Sequence, residues 1–501
     1  MSTLTALARA QAAASGVAQP IATVRHLHLS ERPLVLVPLA MAGEANAPLA
    51  AMVGTAPDAA RLLIVPQPRN RDQRFAFVAE LAATILPYLD SHRGVAEAVP
   101  VDRGRDVRYR YVDAPQLLVP NPAGITFVRL LGRSTRFRRT DGDFPVHASV
   151  PQLGRWLTFL AERAEHPGSS ALVAMTDALT LHWATGQSAL EDAQLASLLA
   201  WIAPPEGVSG AVAAEAAEDP SVWPPAGPAT DPAFDNMHLA PAIAAYQAAQ
   251  EDPVAERMAR TALEQLLRDQ LLPTWRLMWQ AVELLRSLPA GARVAGRWAG
   301  DRDAFTDYAS YVDEGGYPQP RRDGAVAAAQ RLHRLERALT TYAVQRAYDD
   351  PLVMADHRLT GEAFVGEVTL ADPTRIDDTG KRPVLRPRIM LHTTDPVLVV
   401  PGATLHSPTR PTQKARVVFV NPTGDPAKTE VVLELSGGMG RSLTPPPGSV
   451  PEVGERLCYT TLSEGFVPPG SFPTREETPW THGGPPDDGT PDEEDAVEEW
   501  S

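Results

Sequence analysis

One cysteine, three lysines and the lack of any long apolar run are the informative shortages in this 501-residue chain. The single cysteine, Cys458, excludes an intramolecular disulfide and with it a disulfide-stapled secreted module, and it equally excludes cysteine-rich zinc sites. No apolar run approaches the ~18 residues that cross a bilayer as a helix. Residues 1–20 are Ala-rich with one arginine and no apolar h-region, so no signal peptide is expected and a cytoplasmic protein is. Lysine occurs only at Lys381, Lys414 and Lys428, which leaves arginine to carry nearly all the positive charge. Catalytic signatures are missing as well. There is no P-loop, no Gly-x-Ser-x-Gly nucleophile elbow, no His-Glu-x-x-His and no Cys/His ligand spacing, so no motif asks for a cofactor or a metal.

Weaker signals have plain structural readings. Ser436-Gly-Gly-Met-Gly-Arg-Ser442 lacks the Gly-Lys-Ser/Thr of a phosphate loop and leaves a strand without entering a helix, so it reads as a turn. His26 and His28 would share one face of a strand over 24–29, a geometry that can grip a metal, but no further ligand is supplied and they read as surface or edge-strand histidines. Asp301-x-Asp303 followed by Asp307 reads as a solvated turn between helices. Cys458 reads as a small core residue, and Trp275 and Trp279, one helical turn apart, as buried core.

What is abundant is proline, 49 residues or about twice the usual ~5% usage, and acid at one end. Asp487 to Ser501 holds eight carboxylates and no cation, over half of the formal net charge of −15. Such a run cannot bury itself, and with the Pro/Gly-rich stretch before it, it reads as a solvated, disordered tail on an extended tether. Without those charges the preceding 486 residues carry only −7.

The expected fold class is multidomain α+β. After a flexible 1–20, residues 21–203 form an α/β domain with a helical cap. Strands are expected at 34–38, 61–66, 107–112, 116–120 and 125–131, several ending at proline, which cannot donate to a ladder. A helix is expected over 72–89 with Asn70 as N-cap, then helices at 150–164, 170–184 and 188–202, the last opening on a Ser188-x-x-Glu191 capping box. Residues 204–231 read as a Pro/Ala-rich linker. Residues 232–350 read as a helical hairpin: one stripe from Val254 to Leu285, kinked or split at Pro273, and a partner stripe of Leu332, Leu335, Leu339 and Tyr342. Residues 351–462 read as a small β-barrel of OB or SH3-like type, with strands at 363–370, 387–393, 396–400, 415–421, 429–435 and 456–461. Tether and acidic tail fill 463–501.

Positive charge is concentrated where it can act. Residues 101–140 hold nine arginines against three aspartates, with Arg129, Arg133, Arg136, Arg138 and Arg139 crowding a strand end and loop beside Phe127 and Phe137. Arginines interleaved with aromatics clamp phosphates while a ring stacks on a base. In the barrel, Arg386, Arg388, Lys414 and Arg416 gather around the early strands. A small barrel, a Pro/Gly tether and an acidic tip ending in an aromatic resembles the layout of bacterial single-stranded-DNA-binding proteins, which recruit partners through such a tip. The resemblance is one of chemistry alone: this chain ends Trp500-Ser501 rather than on phenylalanine, and its upstream 350 residues have no counterpart.

The expected function is therefore a non-catalytic cytoplasmic adaptor. It would bind nucleic acid, single-stranded or duplex, through the arginines and Phe137, and a protein partner through Glu498, Glu499 and Trp500. Two alternatives stand beside it. One is an enzyme with Arg69, Arg71, Asp72 and His147 at the ends of the β-runs; the other is a protein–protein scaffold without nucleic-acid contact.

Overall fold

The computed structural model describes residues 2–44, 47–101, 104–422, 424–425, 427–465 and 470–472. The chain divides into two compact units. One comprises Leu7–Pro20, Arg25–Leu339 and Gly470–Ser501, the other Met1–Ala6, Ile21–Val24 and Thr340–Pro469. The acidic tail, with Glu498, Glu499 and Trp500, lies outside the described residues.

In the larger unit, strands β1 (Leu34–Ala40), β2 (Pro48–Gly54) and β3 (Arg61–Ile64) precede helix α1 (Arg71–Asp90). A separate hairpin, β4 (Ala96–Val101) and β5 (Asp106–Tyr111), leads to β6 (Leu117–Val119), helices α2 (Pro122–Thr135) and α3 (Ser149–Ala164), and β7 (Leu172–Ala174). Helices α4 (Pro253–Arg286), α5 (Val294–Asp313) and α6 (Ala325–Asp349) follow, α6 containing the boundary between the units. The main sheet has the order β3-β2-β1-β6-β7, antiparallel on the β2 side and parallel through β6 and β7.

Strands buried on both faces read as continuous apolar runs, and every residue of β1 and β2 is buried. Alternate residues serve opposite layers. Leu34, Leu36 and Val53 meet α1, α2, α3 and α5 through Leu81, Val128, Trp156 and Phe305. Val35, Val37 and Met52 meet α4 through Leu267, Trp275 and Val282. The result is three layers around one sheet.

Several expectations are corrected. The run 125–131 is helical, not a strand: Asn121 accepts the Gly124 N–H at 3.2 Å as N-cap and Pro122 occupies the first turn, signals that outweigh the β-like composition of Ile-Thr-Phe-Val. Likewise 170–184 begins with β7, and its helix is only Met175–Thr180. Pro38 does not end β1. Leu34 and Ala40 donate away from β2, to Gln116 and Pro228 carbonyls, and Pro38 shares their parity on the side where pairing to β6 has stopped after Val35. No ladder bond is lost there.

Helix α4 runs unbroken through Pro273, so it is not split. It packs on the sheet, with Trp275 and Trp279 buried as expected. The anticipated hairpin partner stripe is not buried: Leu332 and Leu339 are each 58% exposed. Residues 204–231 carry a helix, Gly210–Ala216, and bury Ala214, Ala217 and Ala226. Asp301 sits inside α5 rather than in a turn. It is buried and accepts from Arg163, Ser169 and the Ser170 N–H, so that breaking the pair from one side costs about 3–5 kcal/mol.

His26 and His28 are not edge-strand residues either. His26 is fully buried beside His182, whose Nε2 accepts the His26 N–H at 3.1 Å, and His28 stacks on Trp298 at 4.0 Å. Among the described residues no group of three or more His, Cys, Asp or Glu could hold a metal. In the same set no helix is long and apolar enough to cross a membrane.

The smaller unit holds a closed barrel of β8 (Ala363–Asp372), β9 (Arg388–Thr393), β10 (Thr404–His406), β11 (Lys414–Pro422), β12 (Thr429–Ser436) and β13 (Arg456–Thr460). Its order is β8-β9-β12-β11-β10-β13. Phe364, Ile389, Leu391, Val417, Leu433 and Tyr459 fill the interior. The sixth strand is 404–406; the expected strand at 396–400 is irregular, its two prolines bracketing it. Gly437, Gly438 and Gly440 take left-handed φ of 75°, 69° and 74°, as the loop reading of that glycine-rich segment requires. Burial pushes the Cys458 thiol up to about 11, which keeps it protonated and unreactive.

Candidate anion-binding cleft

Once 122–135 is a helix, the spacing of its arginines acquires meaning. Arg129, Arg133 and Arg136 are separated by four and three residues and therefore project from one side of α2. The opposite side buries Phe127, Val128 and Leu131. Two glycines seat α2 on α3. A Cβ at Gly132 would meet the Thr158 backbone N at 2.8 Å, and one at Gly154 would meet the Arg136 N at 2.5 Å. This close approach brings the arginine row against Glu162 of α3 and Glu165, which caps its C-terminus.

The result is a cleft of about 130 Å³ between α2, α3, the segment 320–323 and the start of α6. Five guanidiniums line it (Arg129, Arg133, Arg136, Arg321, Arg331) against three carboxylates (Glu162, Glu165, Asp323). Arg129 pairs with Glu165 at 3.1 Å. Arg331 pairs with the other oxygen of Glu165 and with Asp323 at 3.1 Å, and the Glu165 hydrogen bond holds its proton more tightly than usual. Burial raises the Glu162 carboxyl above its ordinary range although part of the residue still meets solvent. Arg133 is exposed and makes no ion pair among the described residues.

No protein-family model, curated protein or solved structure matches this chain.

Arg136 departs from its expected role. It is 3% exposed and donates to the carbonyls of Gln319 (2.7 Å) and Pro320 (3.2 Å), with its guanidinium 4.7 Å from the Phe137 ring centre. It fastens the 319–320 segment rather than presenting its charge outward. Arg321, next along, has its guanidinium 5.9 Å from the centre of the same ring.

From Arg321 the positive surface continues. Burial first, then Arg71, Arg321 and Arg74, lowers Arg138 to about 10, the mark of guanidiniums crowded together. Arg138 and Arg71 both lie over Phe75, at 5.1 and 4.8 Å, and Arg71 also lies 5.7 Å from Phe144, which is 75% exposed. Arg139 stands at the edge, 3.6 Å from Asp141. Sequence reasoning found Arg129, Arg133 and Arg138 but missed Arg74, Arg321, Arg331, Phe75 and Phe144 as their neighbours, because those contacts span tens to hundreds of residues.

The residues considered for catalysis do not converge. Arg69 pairs with Glu44 at 2.9 Å, Asp72 with Arg71 at 2.8 Å, and His147 hydrogen-bonds Ser149 Oγ at 2.7 Å. Among the described residues no contact joins His147 to Asp72 or Arg69.

On the barrel, register places Arg388 and Arg416 on either side of Glu434, with Lys414 two residues from Arg416 on the same outer face. Arg388 and Arg375 reach the Glu434 carboxylate at 3.2 and 2.7 Å, whereas Arg386 donates to the neighbouring Leu385 carbonyl. Beside this charged row, Leu370, Met390, Val432 and Phe419 are successive cross-strand neighbours on the outside of the barrel, and Leu370 is 57% exposed.

Proposed function

We propose that this protein is a non-catalytic cytoplasmic adaptor that binds nucleic acid, with the α2 cleft as its phosphate-binding centre. The observation that carries the reading is the continuity of guanidiniums from Arg133 and Arg129 through Arg321 to Arg138 and Arg71, set among Phe75, Phe137 and Phe144. A charged groove interleaved with rings is what a single strand uses, phosphates against arginine and bases against aromatic faces. The paired charges in the cleft limit affinity, since a phosphate at Arg129 or Arg331 must compete with Glu165 or Asp323 for its guanidinium. Arg388, Arg416 and Lys414 beside Phe419 support a second contact of the same kind on the barrel.

The test is a titration of the full chain against a labelled oligothymidylate over a range of salt. Binding that uses three or four phosphate contacts gives a log–log slope of about −2 to −3. Arg133→Ala should weaken binding and flatten the slope by about 0.7. Absence of binding at low salt ends the nucleic-acid reading, and binding that Arg133→Ala leaves unchanged removes the cleft from it.

A further inference from the structure

The last described residues of the tail lie against α6, the helix that contributes Arg331 to the cleft. The Gly470 N–H donates to His333 Nε2 at 3.3 Å, and the Phe472 ring meets the His333 ring edge-on at 5.7 Å. His333 is two residues from Arg331, which lines the cleft. Twenty-nine residues follow Phe472 (501 minus 472), and they carry ten carboxylates against one arginine, Arg475. The eight carboxylates of 487–499 begin 15 residues beyond Phe472, a span of at most about 50 Å when extended. An acidic segment thus starts from the helix that forms one wall of a basic cleft.

We infer that residues 487–499 occupy the arginine cleft as an internal mimic of a phosphate chain, and that a polyanionic ligand must displace them. This rests on the cleft being an anion site, as proposed above. Carboxylates accept from a guanidinium in the same two-pronged geometry as phosphate oxygens. Arg133, exposed and outside any ion pair among the described residues, is a cation that such a segment can meet without displacing an ion-pair partner. Tethering does the rest. A segment held at an effective concentration of about 1 mM, binding with a dissociation constant of about 100 μM, lowers the apparent affinity of a competitor about tenfold.

Two measurements on the full chain test this. In a variant carrying Asn or Gln at all eight acidic positions of 487–499, affinity for the oligothymidylate should rise about tenfold at low salt. A labelled peptide of residues 487–501 added to that same variant should bind saturably, more weakly at higher salt and more weakly still when Arg133→Ala is added. Peptide binding that is absent up to about 1 mM, or indifferent to Arg133→Ala, overturns the inference. Peptide binding without any oligothymidylate binding supports the tail contact and sinks the nucleic-acid reading, so the two failures are separable.

Discussion

The contact between α2 and α3 can be tested with one chemical change made at two places. Gly154 and Gly300 are both helical glycines without left-handed φ. Replacing either by alanine stabilises the helix by about 0.5–1 kcal/mol through reduced backbone entropy and better propensity. At Gly300 the new Cβ meets nothing within 4 Å, so that gain stands alone. At Gly154 it would lie 2.5 Å from both the Arg136 N and the Thr135 Oγ1 and 2.8 Å from the Arg136 Cα. Two of those three atoms are backbone and cannot rotate away, so α2 must shift, at an overpacking cost of about 1–3 kcal/mol.

The net expectation is a loss of about 0–2.5 kcal/mol, centred near 1, for Gly154→Ala and a gain of about 0.5–1 kcal/mol for Gly300→Ala from the same substitution. Urea unfolding reads both as midpoint shifts at unchanged slope. Gly154→Ala should also weaken oligothymidylate binding, because α2 carries Arg129 and Arg133. If both variants gain stability alike, helices α2 and α3 are not seated on that glycine, and the account of how the arginine row meets Glu165 fails.

Other expectations are quicker to state. Tyr459 is buried inside the barrel and its hydroxyl finds no partner among the described residues, so Tyr459→Phe should be neutral or stabilising by up to about 1 kcal/mol in the same unfolding assay. Burial holds His28 at about 4 against an ordinary 6.5. The unfolded chain therefore binds more protons between those values, and stability should fall as pH drops from about 6.5 towards 4, by an amount on the order of 2–3 kcal/mol. His28→Phe, which keeps the stack on Trp298, should flatten the unfolding free energy across that window; an unaltered slope would show that another group titrates there.

Much of the barrel was legible because its strands alternate with period two between turn residues, and a run such as Thr429 to Leu435 has no helical reading. The 396–400 run was misleading, since composition promised a strand where the barrel closes through 404–406 instead. The larger unit was harder. Val, Ile and Phe in 125–131 suggested β structure, and the Asn121-Pro122 start signal that decides for helix was overlooked. With that one element corrected, the row Arg129, Arg133, Arg136 follows from helical spacing alone. Arg321 and Arg331, by contrast, reach the cleft only through tertiary contacts nearly 200 residues away, and no local pattern encodes them. Asp301 looked solvated because its acidic neighbours masked the distant Arg163 and Ser170 that receive it.

Arg136 gives this arrangement a mechanical property. Because its guanidinium clasps the carbonyls of Gln319 and Pro320, the strip of chain bearing Arg321 and Asp323 is moored to the same helix that bears Arg129 and Arg133. The two walls of the cleft are then not independent. Displacing one wall outward pulls on the mooring, so the aperture has a preferred width set by the two Arg136 hydrogen bonds.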